Sequence, residues 1–194
     1  SEEARTLAAN AAATAARRAL DSAGGCTLEW LEPAMPGLAH DRRRRRVAWD
    51  AQLRALRWKS GGYVTGYLVS YPCHPSIIGS TNTHLSPDYP GYLRTRIQEA
   101  TGCPVIFLTG CAGDVNAGYS ERASSQRNHD IGRTPSDADL FGTTLAEALL
   151  AGRWQPVDMS AGVATRRADV DACLVPIDME APAQLRRQWE RELR

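Results

Sequence analysis

Apolar positions recur along this chain with two periods, one helical and one of strands. Residues 2–22 are alanine-rich, with long side chains interspersed, and run to Gly24-Gly25, which predicts one helix with a glycine stop. Residues 26–31 alternate like a short strand before Pro33 and Pro36 turn the chain. Residues 47–58 alternate weakly through Val47, Trp49, Ala51, Leu53 and Leu56, then reach a hairpin-like turn, Lys59-Ser60-Gly61-Gly62. Residues 63–71 are a β-branched and aromatic run, apolar throughout, as expected of a strand covered on both faces. Pro72-Cys73-His74-Pro75 stops that strand. Residues 90–101 predict a helix: Pro90 suits the first turn, Leu93 and Ile97 are four apart, and Gly102 ends it. Residues 105–108 are a second short buried strand that runs into Thr109-Gly110-Cys111-Ala112-Gly113-Asp114.

Strand, helix, strand and glycine loop make the order of a βαβ unit with a parallel pair. Beyond it, 120–135 is polar and irregular, and 137–151 is an amphipathic helix with Leu140, Thr144, Leu145 and Ala148 on one side. Strands are expected at 157–168 and 172–177, and a last helix from Pro182. The pattern predicts a single α/β domain over 1–194. Its sheet is expected to be mixed and largely parallel, with flanking helices, and incomplete at both ends. Because the chain opens and closes inside helical patterns, it is expected to be a piece of a longer polypeptide.

Composition is that of an ordinary globular protein, with 43% apolar and 23% charged residues in 194. No stretch approaches the ~20 consecutive apolar residues of a membrane helix, and 8–16 lacks the pattern of a secretory signal. A net charge of +1 gives no push towards nucleic acid. Lys59 is the only lysine, so the run from Arg42 to Arg46 reads as a solvated turn in an arginine-biased chain. The five cysteines are scattered without a CxxC pair, which argues against a zinc ribbon or a disulfide framework. Most are expected to be small buried hydrophobes. Free thiols favour a cytoplasmic location, with a periplasmic one left open.

Ligand sites of open α/β sheets lie at the carboxyl ends of strands. The two strands of the βαβ unit end at His74 and at the loop 110–118, so parallel pairing would bring both loops to one edge. His74 stands between two prolines, which restrict the backbone and hold the imidazole in place. That suits a metal ligand or a general base; the plain alternative is a histidine satisfied at a strand end. His84 and Asp88 have suitable ligand chemistry, but Ser86 and Asp88 also precede a helix start, where such residues cap free N–H groups. His129 lies in a polar loop and reads as solvent-exposed. In the glycine loop, backbone N–H groups have the form of an oxyanion hole. No Walker loop or GxGxxG is present. Cys111 reads as a small buried thiol, with a nucleophile as the alternative.

Four segments then occur in order: Asp41-Arg42-Arg43, Tyr71-Pro72-Cys73-His74-Pro75, Leu85-Ser86-Pro87-Asp88-Tyr89-Pro90-Gly91-Tyr92, and Phe107-Leu108-Thr109-Gly110-Cys111-Ala112-Gly113-Asp114-Val115-Asn116. Together they resemble the neutral/alkaline non-lysosomal ceramidase N-terminal-domain family, including its shorter bacterial members, over a core of about 42–151. The resemblance implies a zinc amidohydrolase cleaving the N-acyl bond of a small-molecule or lipid amide, ceramide being the best-known substrate, and a secreted or periplasmic compartment. It implies that His74 is a zinc ligand, that Arg42 helps bind the reacting group, and that Asn116 falls at a catalytic position. Ceramidases proper carry serine there, and Pro-Asn where this chain has Ala117-Gly118.

Zinc chemistry would then have the metal activate a water and polarise the carbonyl. Arg42 and the N–H groups of Gly110, Cys111, Ala112 and Gly113 would stabilise the oxyanion, and Asp114 would orient the loop or a ligand. The family's remaining ligands, an upstream histidine segment and a downstream glutamate and tyrosine, find no match in the chain and are expected beyond its ends. The chain alone is therefore expected to be inactive. Two other readings stand beside this one: an inactive α/β binding domain of the same ancestry, and a Cys/His hydrolase using Cys111.

Overall fold

The computed structural model describes residues 2–42, 52–79, 82–118 and 133–160, together with 162, 164–169, 171, 184, 186 and 187. Ser1–Ala161 form one compact unit and Gly162–Arg194 a second.

The first unit opens with helix α1, Glu2–Asp21, none of whose residues is buried. Five strands make one sheet: β1 Thr27–Leu31, β3 Arg54–Ser60, β4 Tyr63–Tyr71, β5 Val105–Thr109 and β7 Gln155–Pro156. Their order across it is β5-β4-β3-β1-β7. A separate two-stranded ladder pairs β2, His40–Asp41, with β6, Val115–Asn116. Helix α2, Asp88–Thr101, connects β4 to β5, and helix α3, Pro135–Leu150, precedes β7.

The α/β class and the βαβ unit are as the pattern predicts: β4 and β5 run parallel, from Tyr67↔Val105 to Tyr71↔Thr109. The expectation of a largely parallel sheet needs correction. β1 with β3, β3 with β4 and β1 with β7 are all antiparallel. For β3 with β4 the reason is local: the two are joined by a hairpin at Gly61-Gly62 rather than by a crossover helix.

One sheet face and the inner faces of α2 and α3 make the core. Tyr67, Val69 and Tyr71 alternate inward from β4 to meet Tyr89, Leu93 and Ile97 of α2 and Phe141, Leu145 and Leu149 of α3. Tyr71 and Tyr89 both pack on Phe141, with ring centroids 6.1 and 4.8 Å apart. The opposite side of β4 does not match the expected two-sided cover. Trp30, Leu56, Leu68 and Ile106 form a row across four strands of that face, and Ile106 and Leu108 remain 53% and 51% exposed. An apolar run looks the same whether one face or both are covered, so periodicity missed the difference.

No described residue of the strand expected at 157–168 is in a strand: β7 ends at Pro156 just before it, and one bond, Val157 N–H to Leu28 O at 2.8 Å, continues its pairing. Residues 164–169 have no regular structure, and Arg167 and Asp169 are almost wholly exposed, so this stretch has no buried face to hold a strand. In the second unit, Gln184, Arg186 and Arg187 are helical, as the pattern from Pro182 predicts. The strand expected at 172–177, the polar stretch 120–132, His129 and the arginines 43–46 lie outside the described residues.

Two features of α3 lend themselves to test. Gly142 lets its backbone approach α2 so closely that a Cβ would fall 2.6 Å from Tyr89 O and 2.8 Å from Leu93 N. Gly142→Ala is therefore expected to destabilise the fold by about 1–3 kcal/mol in urea unfolding, as overpacking does. At the start of α3, Thr134 and Asp137 form a capping box, with Asp137 N–H on Thr134 Oγ1 at 3.3 Å and Thr134 N–H on Asp137 Oδ2 at 2.8 Å. The Thr134 hydroxyl and then its backbone N–H hold the Asp137 carboxyl below its ordinary pKa. A lowered carboxyl pKa stabilises the folded state above the unfolded pKa and loses that contribution as pH falls through the folded value. Thr134→Ala should thus cost about 1 kcal/mol near neutrality and less in acid; an equal penalty at both pH values would contradict the box.

Candidate active site

β4 ends at Tyr71 and β5 at Thr109, side by side in register, so both following loops start from one edge of the sheet. Gly110 N–H donates to Tyr71 O at 3.2 Å, which ties the second loop to the end of the first strand. A Cβ at Gly110 would lie 3.1 Å from Pro72 Cα, so a side chain there would crowd the end of β4 and glycine suits the close approach.

Within the second loop, Ala112 N–H donates to Gly110 O and Val115 N–H to Ala112 O, each at 2.7 Å. The chain then enters β6, where Val115 O accepts His74 N–H at 3.0 Å. His74 is half-buried, and its Nε2 lies 2.7 Å from Gly113 O. A carbonyl only accepts, so Nε2 is the donor in this contact, and in the neutral ring Nδ1 keeps its lone pair. The two loops thus meet, and His74 is held by the second through both backbone and ring.

The β2–β6 ladder brings in the third segment. His40 pairs with Asn116 and Asp41 with Val115, and Arg42 N–H continues the pairing to Asp114 O at 2.9 Å. The Arg42 side chain then turns onto the same residue, with Nε and Nη2 at 3.2 and 3.1 Å from Asp114 Oδ1. With side chains 28% and 20% exposed, this pair contributes at most about 1 kcal/mol. Its use is orientation. Two of the five guanidinium N–H groups are committed, and a planar cation is fixed beside the loop.

Asn116 is buried, and its Oδ1 accepts Gly118 N–H at 3.0 Å. Cys111 is exposed rather than buried, as is Cys26; the turn at Gly110 carries Cys111 out of the core. Cys73 and Cys103 are the buried thiols. Burial, with the Asp88 carboxylate second, pushes Cys73 up to about 12, so it stays a protonated thiol at neutral pH. No hydrogen bond joins Cys111 to His74 among the described residues. His84 is exposed, its N–H and carbonyl both bonded to the Asn82 side chain.

His40 is the residue that sequence reasoning missed. It sits opposite Asn116, and its ring lies against Gly118. The only hint was its place just before Asp41-Arg42.

Zinc needs three or four protein donors. Among the described residues no group of three or more His, Cys, Asp or Glu is placed to hold a metal ion, and Asp114 is engaged by Arg42. His74 Nδ1 is one suitable donor. The described residues alone do not make up a zinc site. No described helix is long and apolar enough to cross a membrane.

An α/β unit in which the loops at the carboxyl ends of a parallel strand pair meet around His74 is the class this fold and site define. No family model matches the chain, and no curated protein matches it. Among solved structures it is similar to neutral ceramidase from Pseudomonas aeruginosa, with TM-score 0.48 and 17% identity, over 63% of this chain and 22% of that one. It is likewise similar to a ceramidase complexed with C2, with TM-score 0.47 and 17% identity over the same shares. The chain therefore spans about a fifth of the length of these solved proteins.

The geometry fixes the expected tautomer of His74. NMR of its ring nitrogens should find Nε2–H and an unprotonated Nδ1 in the neutral form; the opposite tautomer would contradict the bond to Gly113.

Proposed function

We propose that the region 71–118, with Arg42, is part of the active site of an amidohydrolase of the neutral-ceramidase kind, which cleaves an N-acyl amide. One observation carries the reading: consecutive residues, Gly113 and Asp114, hold the two reactive side chains, His74 through its ring and Arg42 through its guanidinium. A histidine whose ring is fixed by a backbone carbonyl and whose other nitrogen is left basic has the form of a metal ligand. A guanidinium anchored on one edge retains donors for an acyl oxygen as it gains charge. The ordered motifs around both resemble those of the neutral-ceramidase family, and that resemblance suggests the substrate class.

Zinc, as the sequence resemblance implies, would supply the activated water in the complete site. His74 Nδ1 would be one ligand, and the others would come from outside the described residues. This chain's own part is to hold His74, to present Arg42 to the acyl oxygen, and to shape the edge with Gly110, Cys111, Ala112 and Gly113. The N–H groups of Gly110 and Ala112 are already bonded within the loops, whereas no bond among the described residues takes those of Cys111 and Gly113, which with Arg42 are the donors left for an oxyanion.

A second reading, an inactive binding domain of the same ancestry, is favoured by the lack of a three-donor cluster among the described residues.

Metal content and hydrolysis of an N-acyl amide, measured on the longest natural polypeptide that contains this chain, separate the two. Stoichiometric zinc that disappears in His74→Ala is expected. Arg42→Ala should keep the metal and lose about a hundredfold in kcat, the usual scale for a lost oxyanion donor. Metal-free, inert protein would leave the binding domain. Chelator-insensitive hydrolysis abolished by Cys111→Ala would instead establish a cysteine nucleophile.

A further inference from the structure

We infer that Asp88 and Arg133 are positioning residues for His74, acting through the segment 76–79 just after it, which they hold from the starts of α2 and α3. The loop 73–79 leaves β4 in two tight turns, with Cys73 N–H on Tyr71 O and Ser76 N–H on His74 O, both at 2.9 Å. A chain that turns so sharply has no ladder for its other peptide groups, yet Cys73 and Ile77 are buried, and buried peptide groups need partners.

Those partners come from the starts of two helices. On the α2 side, Asp88 Oδ2 accepts Ile78 N–H and Oδ1 accepts Tyr89 N–H, both at 2.8 Å. Tyr89 OH donates to Cys73 O at 2.7 Å, and burial above all keeps that phenol protonated, its pKa well above the ordinary value. On the α3 side, Arg133 Nη2 donates to Ser76 O at 2.8 Å and Nε to Ile77 O at 3.3 Å. The Arg133 carbonyl accepts Gly79 N–H at 3.1 Å.

Two features set this apart from ordinary capping. Asp88 and Arg133 are charged and only 6% and 7% exposed. Such burial is costly unless each charge is hydrogen-bonded, and apolar anchors would avoid the cost. Asp88 also adopts φ +52, a left-handed conformation that non-glycine residues seldom take and that surrounding structure must impose. What the clamp fixes is the path of the backbone through His74. Cys73 is tied on one side of it, Ser76 to Gly79 on the other, and Pro75 sets φ between them. On that path the His74 ring falls on Gly113 O.

The importance of His74 rests on the proposed amidohydrolase reading, but the clamp is tested without activity, by NMR of the histidine ring nitrogens on the full chain. Asp88→Asn keeps the volume and removes the charge. Arg133→Lys keeps the charge and removes the fork onto two carbonyls. Both are expected to mix Nδ1–H and Nε2–H forms at His74 while far-ultraviolet circular dichroism stays unchanged. Ser86→Ala serves as the control: it removes the bond from Asp88 N–H to Ser86 Oγ, at 3.0 Å, without touching the loop, and should leave His74 as in the wild type.

A wild-type tautomer in the folded clamp variants, or equal mixing in the control, overturns the inference. If Asp88→Asn does not fold, Arg133→Lys decides by the same signal. The two readings fail separately. A mixed tautomer in variants of a protein that proves metal-free and inert keeps the clamp and ends the amidohydrolase reading; a pinned tautomer in variants of a zinc amidase does the reverse.

Discussion

Parallel pairing of β4 with β5 is the constraint on which the candidate site depends. It aligns Tyr71 with Thr109, so the segments that follow both strands leave the sheet at one edge. An antiparallel pair would have sent them to opposite ends. Once the loops share an edge, short bonds lock them: Gly110 N–H to Tyr71 O, His74 N–H to Val115 O, and the His74 ring to Gly113 O. The small β2–β6 ladder then adds a third segment and delivers Arg42 to Asp114. No single bond here is strong. Their effect is to hold three distant parts of the chain in one arrangement.

The helices make the parallel pair possible. A crossover connection must return along the face of the sheet, and α2 does so with Tyr89, Leu93 and Ile97 buried against β4 and β5. α3 closes over α2 at Gly142, and Phe141 inserts between Tyr71 and Tyr89. Tyr89 links the two levels of structure. Its ring belongs to the core, packed at 88° on Phe107, while its hydroxyl reaches the carbonyl of Cys73 beside His74. Core packing and loop position are therefore mechanically joined.

Much of this was legible in the sequence, for identifiable reasons. The apolar run 63–71, the stop at Pro72, the helix ended by Gly102 and the strand from Val105 are strong local signals, and together they specify a βαβ unit. The convergence of His74 with the glycine loop followed from that unit alone. What stayed hidden was set by tertiary context. The hairpin-like turn at Lys59-Ser60-Gly61-Gly62 was itself legible, but the run after it reads equally well as a parallel strand, and the antiparallel pairings of β1 with β3 and β7 leave no local signal. The exposure of Cys111 depends on the turn at Gly110, and no periodicity reports it. His40 reaches the site through a two-residue ladder too short to leave a pattern. Asp88 read as a cap, and one of its oxygens does take the Tyr89 N–H in the first turn of α2, but the other serves a peptide ten residues upstream, which spacing does not reveal.

Everything proposed for the site requires that the loops after β4 and β5 meet, with the His74 ring on Gly113. Nuclear Overhauser contacts between the His74 ring protons and the Gly113 α protons measure that meeting directly. Clear cross-peaks between them are expected, since Nε2 lies 2.7 Å from the Gly113 carbonyl oxygen. A His74 ring whose contacts lie elsewhere, with none to Gly113 or its neighbours, would contradict it.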